Sequence, residues 1–227
     1  MSNQEPAPTQ VAAPDTAADE SDRLLAPSRL LLVRHGESTW NAARRMQGQL
    51  DPPLSDRGLA QAQEVAERFA GHRLAAFYSS DLVRTWQTAG PIASAVGMEP
   101  VPEPGLREVS LGAWEGKTRE EVIDEYPDLW ARWVREPNWD IIPGGEGAQP
   151  FRDRVTRTLH ELRERHPQGD VLIVTHGGVI QMALLDVVGG NSHGIFPFLI
   201  ENCSLTVIQR TQRRTVVTTV NDTCHLS

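Results

Sequence analysis

Two short apolar runs, each followed within two residues by His-Gly, constrain this chain more than any other feature. Leu30 to Val33 leads into Arg34-His35-Gly36, and Val171 to Val174 leads into Thr175-His176-Gly177. Four apolar residues between polar flanks are too few for a buried helix and suit a strand covered on both faces. Leu74 to Tyr78 has the same character. Helical periodicity fills the intervals. Over Asp56–Ala70 the residues Leu59, Ala62, Val65, Ala66 and Phe69 recur at helical steps behind Ser55 as N-cap. A second helix follows Ser79-Ser80-Asp81 and runs to about Val96, where Gly97 ends it. Further helices are expected over Arg119–Glu125, Asp128–Arg135, Phe151–His166 and Val179–Val188, and late strands over Ser204–Gln209 and Thr215–Val220. Strands alternating with helices predict an α/β fold, a single open, mostly parallel sheet flanked by helices. The Gly-, Pro- and Trp-rich stretch from about Gly105 to Gly147 reads as a helical lid inserted over the sheet edge.

The length, 227 residues with 39% hydrophobic, is enough for one such domain. Residues 1–28 carry Pro6, Pro8, Pro14 and Pro27 among small and acidic residues, a composition expected of a disordered tail, which leaves 29–227 as the domain. The net charge of -8 argues against a nucleic-acid partner. No apolar run reaches the roughly 18 residues of a membrane span, and no apolar h-region precedes Arg23 as in a secretory signal. Cys203 and Cys224 fit no zinc or disulfide framework, and Cys203 reads as a small core residue. A cytoplasmic setting is expected. A homodimer is left open.

In an open α/β sheet, ligands collect outside the carboxyl ends of the strands, so His35 and His176 are expected to meet at one crevice. Gly36 and Gly177 permit close backbone approach, and the amides at the helix start after Gly177 suit an anion. Arg34 precedes the first histidine, and Arg84 lies just beyond the second strand. An arginine at a helix start opposes the helix dipole, a cost that a bound anion offsets. Its planar fork of donors matches phosphate oxygens. Two arginines and two histidines at strand ends therefore describe an oxyanion trap. His72, His160, His166, His193 and His225 lie outside these blocks and are expected to be structural or solvated.

The segment Leu32-Val33-Arg34-His35-Gly36-Glu37-Ser38-Thr39-Trp40-Asn41 resembles the signature of the histidine phosphatase superfamily, the phosphoglycerate mutase-like proteins. The resemblance continues through Arg45 to Asp51, Pro53 to Gly58, Arg84 to Ala89, Leu106-Arg107-Glu108, Gly112 to Gly116, Pro143 to Glu146 and Val174 to Gly178, in the family order. It implies that His35 is a nucleophile forming a phosphohistidine, which splits one displacement into two. It also implies that Arg34, Arg84 and His176 hold the three non-bridging phosphoryl oxygens. Glu108 is implied as the general acid, which must be protonated as the ester bond breaks. Asn41, Gln47, Gly48 and the Gly177 amide are implied to line the phosphate or leaving-group side, with Gly36 beside them. No metal and no cofactor are expected, since arginines supply the positive charge. The expected reaction is hydrolysis of a small phosphorylated metabolite, such as a sugar phosphate, a phosphoglycerate derivative or a nucleotide-pathway intermediate.

Phosphoglycerate mutase activity through the same phosphohistidine is the first alternative. Mutases of the family carry His-Tyr-Gly soon after the acid. Here Val109-Ser110-Leu111-Gly112-Ala113-Trp114 follows Glu108 and resembles the phosphatase branch. An inactive phosphate-binding module is the second, and the presence of every implied catalytic residue opposes it. Gly147 departs from the serine common after Pro-Gly-Gly-Glu, a change in loop hydrogen bonding. Trp114, Trp130, Trp133 and Trp139 fall in the lid and read equally as pocket walls or as the lid's own small core. Arg132 and Arg135 read as helix-face charges.

Overall fold

A computed structural model describes residues 27–190, 194, 196–211 and 213–227. Most of the expected tail, up to residue 26, and His193 lie outside the described residues. Six strands form one sheet: β1 Ser28–Arg34, β2 Ala76–Ser79, β3 Val101–Pro102, β4 Gly169–Thr175, β5 Leu205–Arg210 and β6 Thr215–Asp222. Their order is β3-β2-β4-β1-β5-β6. The pairs β3-β2, β2-β4 and β4-β1 are parallel, while β1-β5 and β5-β6 are antiparallel, so the sheet is mixed. The two-residue β3 was not anticipated, because it is too short to leave a periodic pattern. β2 begins two residues later than the apolar run suggested.

Seven helices are present among the described residues: α1 Thr39–Ala42, α2 Asp56–Arg68, α3 Val83–Val96, α4 Arg119–Glu125, α5 Pro127–Arg135, α6 Ala148–Arg165 and α7 Gly177–Val188. Ser55 caps α2 by accepting from the Gly58 amide at 3.1 Å. Gly97 closes α3 in the left-handed conformation, φ 67°. None of these helices is long and apolar enough to cross a membrane.

Side chains alternate across the strands and so serve two cores. Leu31, Val33, Leu172, Val174 and Phe77 pack against α2 and α3 through Val65, Ala66, Ala89 and Ile92. Leu30, Leu32, Val171 and Ile173 face the other way, onto Phe151, Val155, Leu159 and Leu162 of α6 and onto α7. Leu32, Val33, Ile173 and Val174 are fully buried, each worth about 1.5–3 kcal/mol by transfer. Sheet and helices thus form three layers with β1 and β4 at the centre.

The 105–147 stretch shares the α6/α7-side core instead of building its own. Trp114 and Trp139 are 2% and 3% exposed within that core, and Trp130 and Trp133 stack on Trp114 at 5.9 and 5.3 Å. Trp114, Trp130 and Trp133 are therefore structural, whereas Trp139 both packs in the core and lines a cavity. Thr118 and Glu121 close a capping box at the start of α4.

Candidate active site

The register of β1 against β4 places the two histidines together. Arg34 is the partner of Thr175, so residues 35 and 176 leave the sheet side by side, and the His35 amide donates to the Thr175 carbonyl at 2.9 Å. The rings meet edge to face with centroids 5.2 Å apart. His35 is 2% exposed and His176 is fully buried.

His35 Nδ1 lies 2.7 Å from the Gly36 carbonyl oxygen. A carbonyl can only accept, so Nδ1 carries the proton and Nε2 keeps its lone pair. Asn202 Nδ2 donates to the His35 carbonyl at 2.9 Å and fixes the backbone behind the ring. The Gly36 amide donates to Thr88 Oγ1 at 3.0 Å. Gly36, expected beside the substrate, therefore spends its amide on α3 and serves to orient His35. His176 Nε2 lies 2.9 Å from Ser80 Oγ.

Arg84 is clamped by the carbonyls of Leu50 and Gly48, each at 2.8 Å, and its side chain is 1% exposed. Arg34 donates through Nη1 to the Ile200 carbonyl at 2.6 Å. Arg34 Nε, Arg84 Nε and His176 Nδ1 are buried with no hydrogen-bond partner among the described residues. A buried donor left unpaired costs about 1–3 kcal/mol. His176 Nδ1 is a donor when the Ser80 hydroxyl gives its proton to Nε2, and with that tautomer three such groups beside one nucleophilic nitrogen are a strong demand for an acceptor.

A cavity of about 230 Å³ opens at this point. Of the residues expected at the site, Arg34, His35, Asn41, Gln47, Gly48, Arg84 and Glu108 line it, while His176 and the glycines 36 and 177 are not among its lining residues. Val109, Leu111, Trp139 and Phe196 supply an apolar side that the sequence motifs did not indicate. Ser38 joins two of the polar wall residues, donating to Gln47 Oε1 at 2.8 Å and lying 3.1 Å from Asn41 Oδ1. Gly48 has φ +55°, and a Cβ there would sit 2.0 Å from Glu115 Oε1, so no larger residue fits.

Glu108 is half-buried. Its Oε2 accepts from the Gly178 amide at 3.0 Å and its Oε1 from its neighbour Val109 at 2.9 Å. The helix-start amides, expected to face a substrate anion, are thus partly taken by this carboxylate. A Cβ on Gly178 would lie 2.1 Å from Glu108 Oε1, which explains the glycine. Ser80 follows a sheet strand as the two histidines do, and that signal would have found it. Asn202 precedes the antiparallel β5 and leaves no comparable mark.

Burial is the main reason both imidazoles are held well below the ordinary histidine range, and the Arg84 and Arg34 guanidiniums reinforce it for each. Burial also pushes Arg84 down to about 10, which leaves it charged at neutral pH. An unfolded histidine takes up its proton near pH 6.5, whereas the folded rings resist until far lower. Acidification below about pH 6.5 therefore favours the unfolded chain. We expect Tm to fall between about pH 7 and pH 5, and to fall less steeply in His35→Gln, which loses one such ring. Parallel slopes in wild type and variant would rule out the buried-imidazole origin.

The other described histidines have structural partners: His72 with Asp170, His160 with Asp186, His166 with Tyr78, and His225 with the Cys203 carbonyl. Cys203 is buried as expected. Arg132 and Arg135 are exposed on α5, outside the cavity wall. Among the described residues no three His, Cys, Asp or Glu side chains are grouped as a metal site requires.

The family model described as "Histidine phosphatase superfamily (branch 1)" matches residues 30–223. The chain belongs to this superfamily. As a histidine phosphatase it is a phosphomonoester hydrolase, and the family works through a phosphohistidine. It is 39% identical over 198 residues to phosphoserine phosphatase 1 of Hydrogenobacter thermophilus, covering 87% of this chain and 94% of that one. It is 35% identical over 203 residues to a metal-independent phosphoserine phosphatase of Arabidopsis thaliana, covering 88% and 84%. Among solved structures, a phosphoserine phosphatase mutant from Entamoeba histolytica in complex with phosphoserine superimposes with a TM-score of 0.76 at 26% identity, covering 88% of this histidine phosphatase and all of that chain.

Proposed function

We propose that this histidine phosphatase hydrolyses a small, amphipathic phosphomonoester without a metal, with phosphoserine the leading substrate, and that His35 Nε2 attacks phosphorus. The observation that carries the reading is the trio of unpaired buried donors, Arg34 Nε, Arg84 Nε and His176 Nδ1, around an imidazole held neutral with Nε2 free. A tetrahedral phosphoryl group has three non-bridging oxygens to offer these donors. Positive charge preorganised in a water-poor site stabilises the charge that develops in transfer. Arg34 and Arg84 supply that charge here.

Glu108 acts on the leaving oxygen in this reading, giving it a proton as the P–O bond breaks and taking one from the water that cleaves the phosphohistidine. Its place on the cavity wall beside Val109, Leu111 and Trp139 supports a leaving group with a short aliphatic part. Asn41, Gln47 and Gly48 add polar groups to the same lining. The phosphoserine phosphatase relatives favour phosphoserine among the possible small esters.

The test is phosphate release across phosphoserine, sugar phosphates, phosphoglycerates and nucleotides, with and without EDTA. We expect the highest kcat/KM on phosphoserine and no change on chelation. Loss of activity with EDTA would sink the metal-free chemistry. Interconversion of phosphoglycerate isomers faster than phosphate release would identify a mutase instead.

A further inference from the structure

The segment that carries Glu108 has little regular structure of its own, yet a general acid must be held to within a fraction of an ångström of its target. One side chain from α6 holds it. Arg154 donates through Nη1 to the carbonyls of Gly105 at 3.0 Å and Arg107 at 2.8 Å, and through Nη2 to the carbonyl of Glu108 itself at 3.2 Å. Its Nε and Nη2 also form a two-point pair with Glu146, both contacts at 2.7 Å. A guanidinium has five N–H donors, and here each has an acceptor. The side chains of Arg154 and Glu146 are 18% and 16% exposed, so the pair is mostly shielded from solvent. Glu146 is tied to the same loop through its Oε2 and the Ser110 amide at 3.3 Å, and its own amide donates to the Ser110 carbonyl at 3.0 Å.

We propose that Arg154, oriented by Glu146, is a positioning residue for the general acid, setting where the Glu108 carboxyl sits against the leaving oxygen. This rests on the role given to Glu108 above. Other contacts anchor the segment too: Gln49 Nε2 on the Glu108 carbonyl at 3.1 Å, Thr175 Oγ1 on the Leu106 carbonyl at 2.8 Å, and the Arg107 side chain on Asp81 at 2.7 and 2.5 Å. Arg154 alone spans three carbonyls of the four residues 105–108. Lysine keeps the charge but offers three donors from one point, which cannot reproduce the fork.

The consequence is selective. A misplaced acid slows esters whose leaving alkoxide needs a proton and spares those whose leaving group departs as a stable anion. We expect Arg154→Lys to lower kcat/KM, which is set by departure of the leaving group and not by the later attack of water, on phosphoserine and β-glycerophosphate on the order of 100-fold, the loss associated with a misplacement of about 1 Å. On p-nitrophenyl phosphate kcat/KM should change by no more than a few-fold. Guanidinium ion added to Arg154→Ala should restore part of the lost alkyl ester rate. Glu146→Gln, which keeps the volume but weakens the pair, should show the same selectivity in milder form, and decides the matter if the Arg154 variants do not fold. Equal losses of kcat/KM on alkyl and aryl esters, or full activity on both in a folded variant, would overturn the positioning role. Glu108→Gln, measured alongside, separates the two ideas. Selectivity in Glu108→Gln without selectivity in the Arg154 and Glu146 variants rejects only the positioning role, whereas its absence in Glu108→Gln rejects the acid assignment itself.

Discussion

Replacing His35 with alanine should lower kcat/KM for any phosphomonoester by at least about 10⁴-fold, in line with the loss of a nucleophile elsewhere. The expected loss is this large because no neighbour can take over the attack. His176, the other imidazole at the site, has Nε2 engaged with Ser80, and in this reading its Nδ1 carries the proton given to a phosphoryl oxygen, so neither nitrogen has a lone pair free to attack. The surrounding donors are cationic or neutral N–H groups, which bind phosphate but cannot attack it. The fold should survive, since the His35 side chain makes one hydrogen bond, to the adjacent Gly36 carbonyl. Removing a ring between two guanidiniums should also leave phosphate affinity largely intact. The checks are steady-state kinetics, binding of inorganic phosphate by calorimetry, and acid-labile phosphate trapped on wild type but not on the variant. A variant retaining more than a few per cent of wild-type kcat while folded would exclude His35 as the nucleophile.

Glu108→Gln should discriminate between leaving groups in kcat/KM, the constant that ends at departure of the leaving group. General acid catalysis contributes about 10²–10⁴-fold, and that factor should disappear for phosphoserine, whose alkoxide is a poor leaving group. On p-nitrophenyl phosphate the loss should stay within about tenfold, because the phenolate leaves without full protonation. Glutamine keeps an oxygen able to accept from the Gly178 amide, so the contact at the start of α7 can persist. The change is then one of proton supply. If kcat/KM for the alkyl and aryl esters falls by the same factor, Glu108 binds or shapes the site and does not deliver the proton.

Much of this organisation is legible without coordinates. The runs Leu30–Val33 and Val171–Val174 specify buried strands because their apolar residues have no polar face to turn to water. Their equal spacing from His35 and His176 then brings the histidines level once the strands pair in parallel. Ser55, Gly97 and Thr118 mark helix ends through local chemistry that does not depend on distant residues. The direction of β5 was harder to read, since alternating strand residues look alike whichever way the strand runs.

Residue order is therefore enough for the strand–helix succession, the strand ends that carry the chemistry, and the residue types assembled there. The tertiary structure alone decided which nitrogen of His35 is free, which arginine donors stay unpaired, and that Arg154 grips the Glu108 segment. The physical reason is the nature of the partners. Hydrophobic periodicity and capping are written in side chains, whereas Gly36, Gly48, Gly105 and Glu108 take part through backbone carbonyls. A carbonyl is the same group at every residue, so nothing in the order of amino acids announces which one a distant guanidinium will reach.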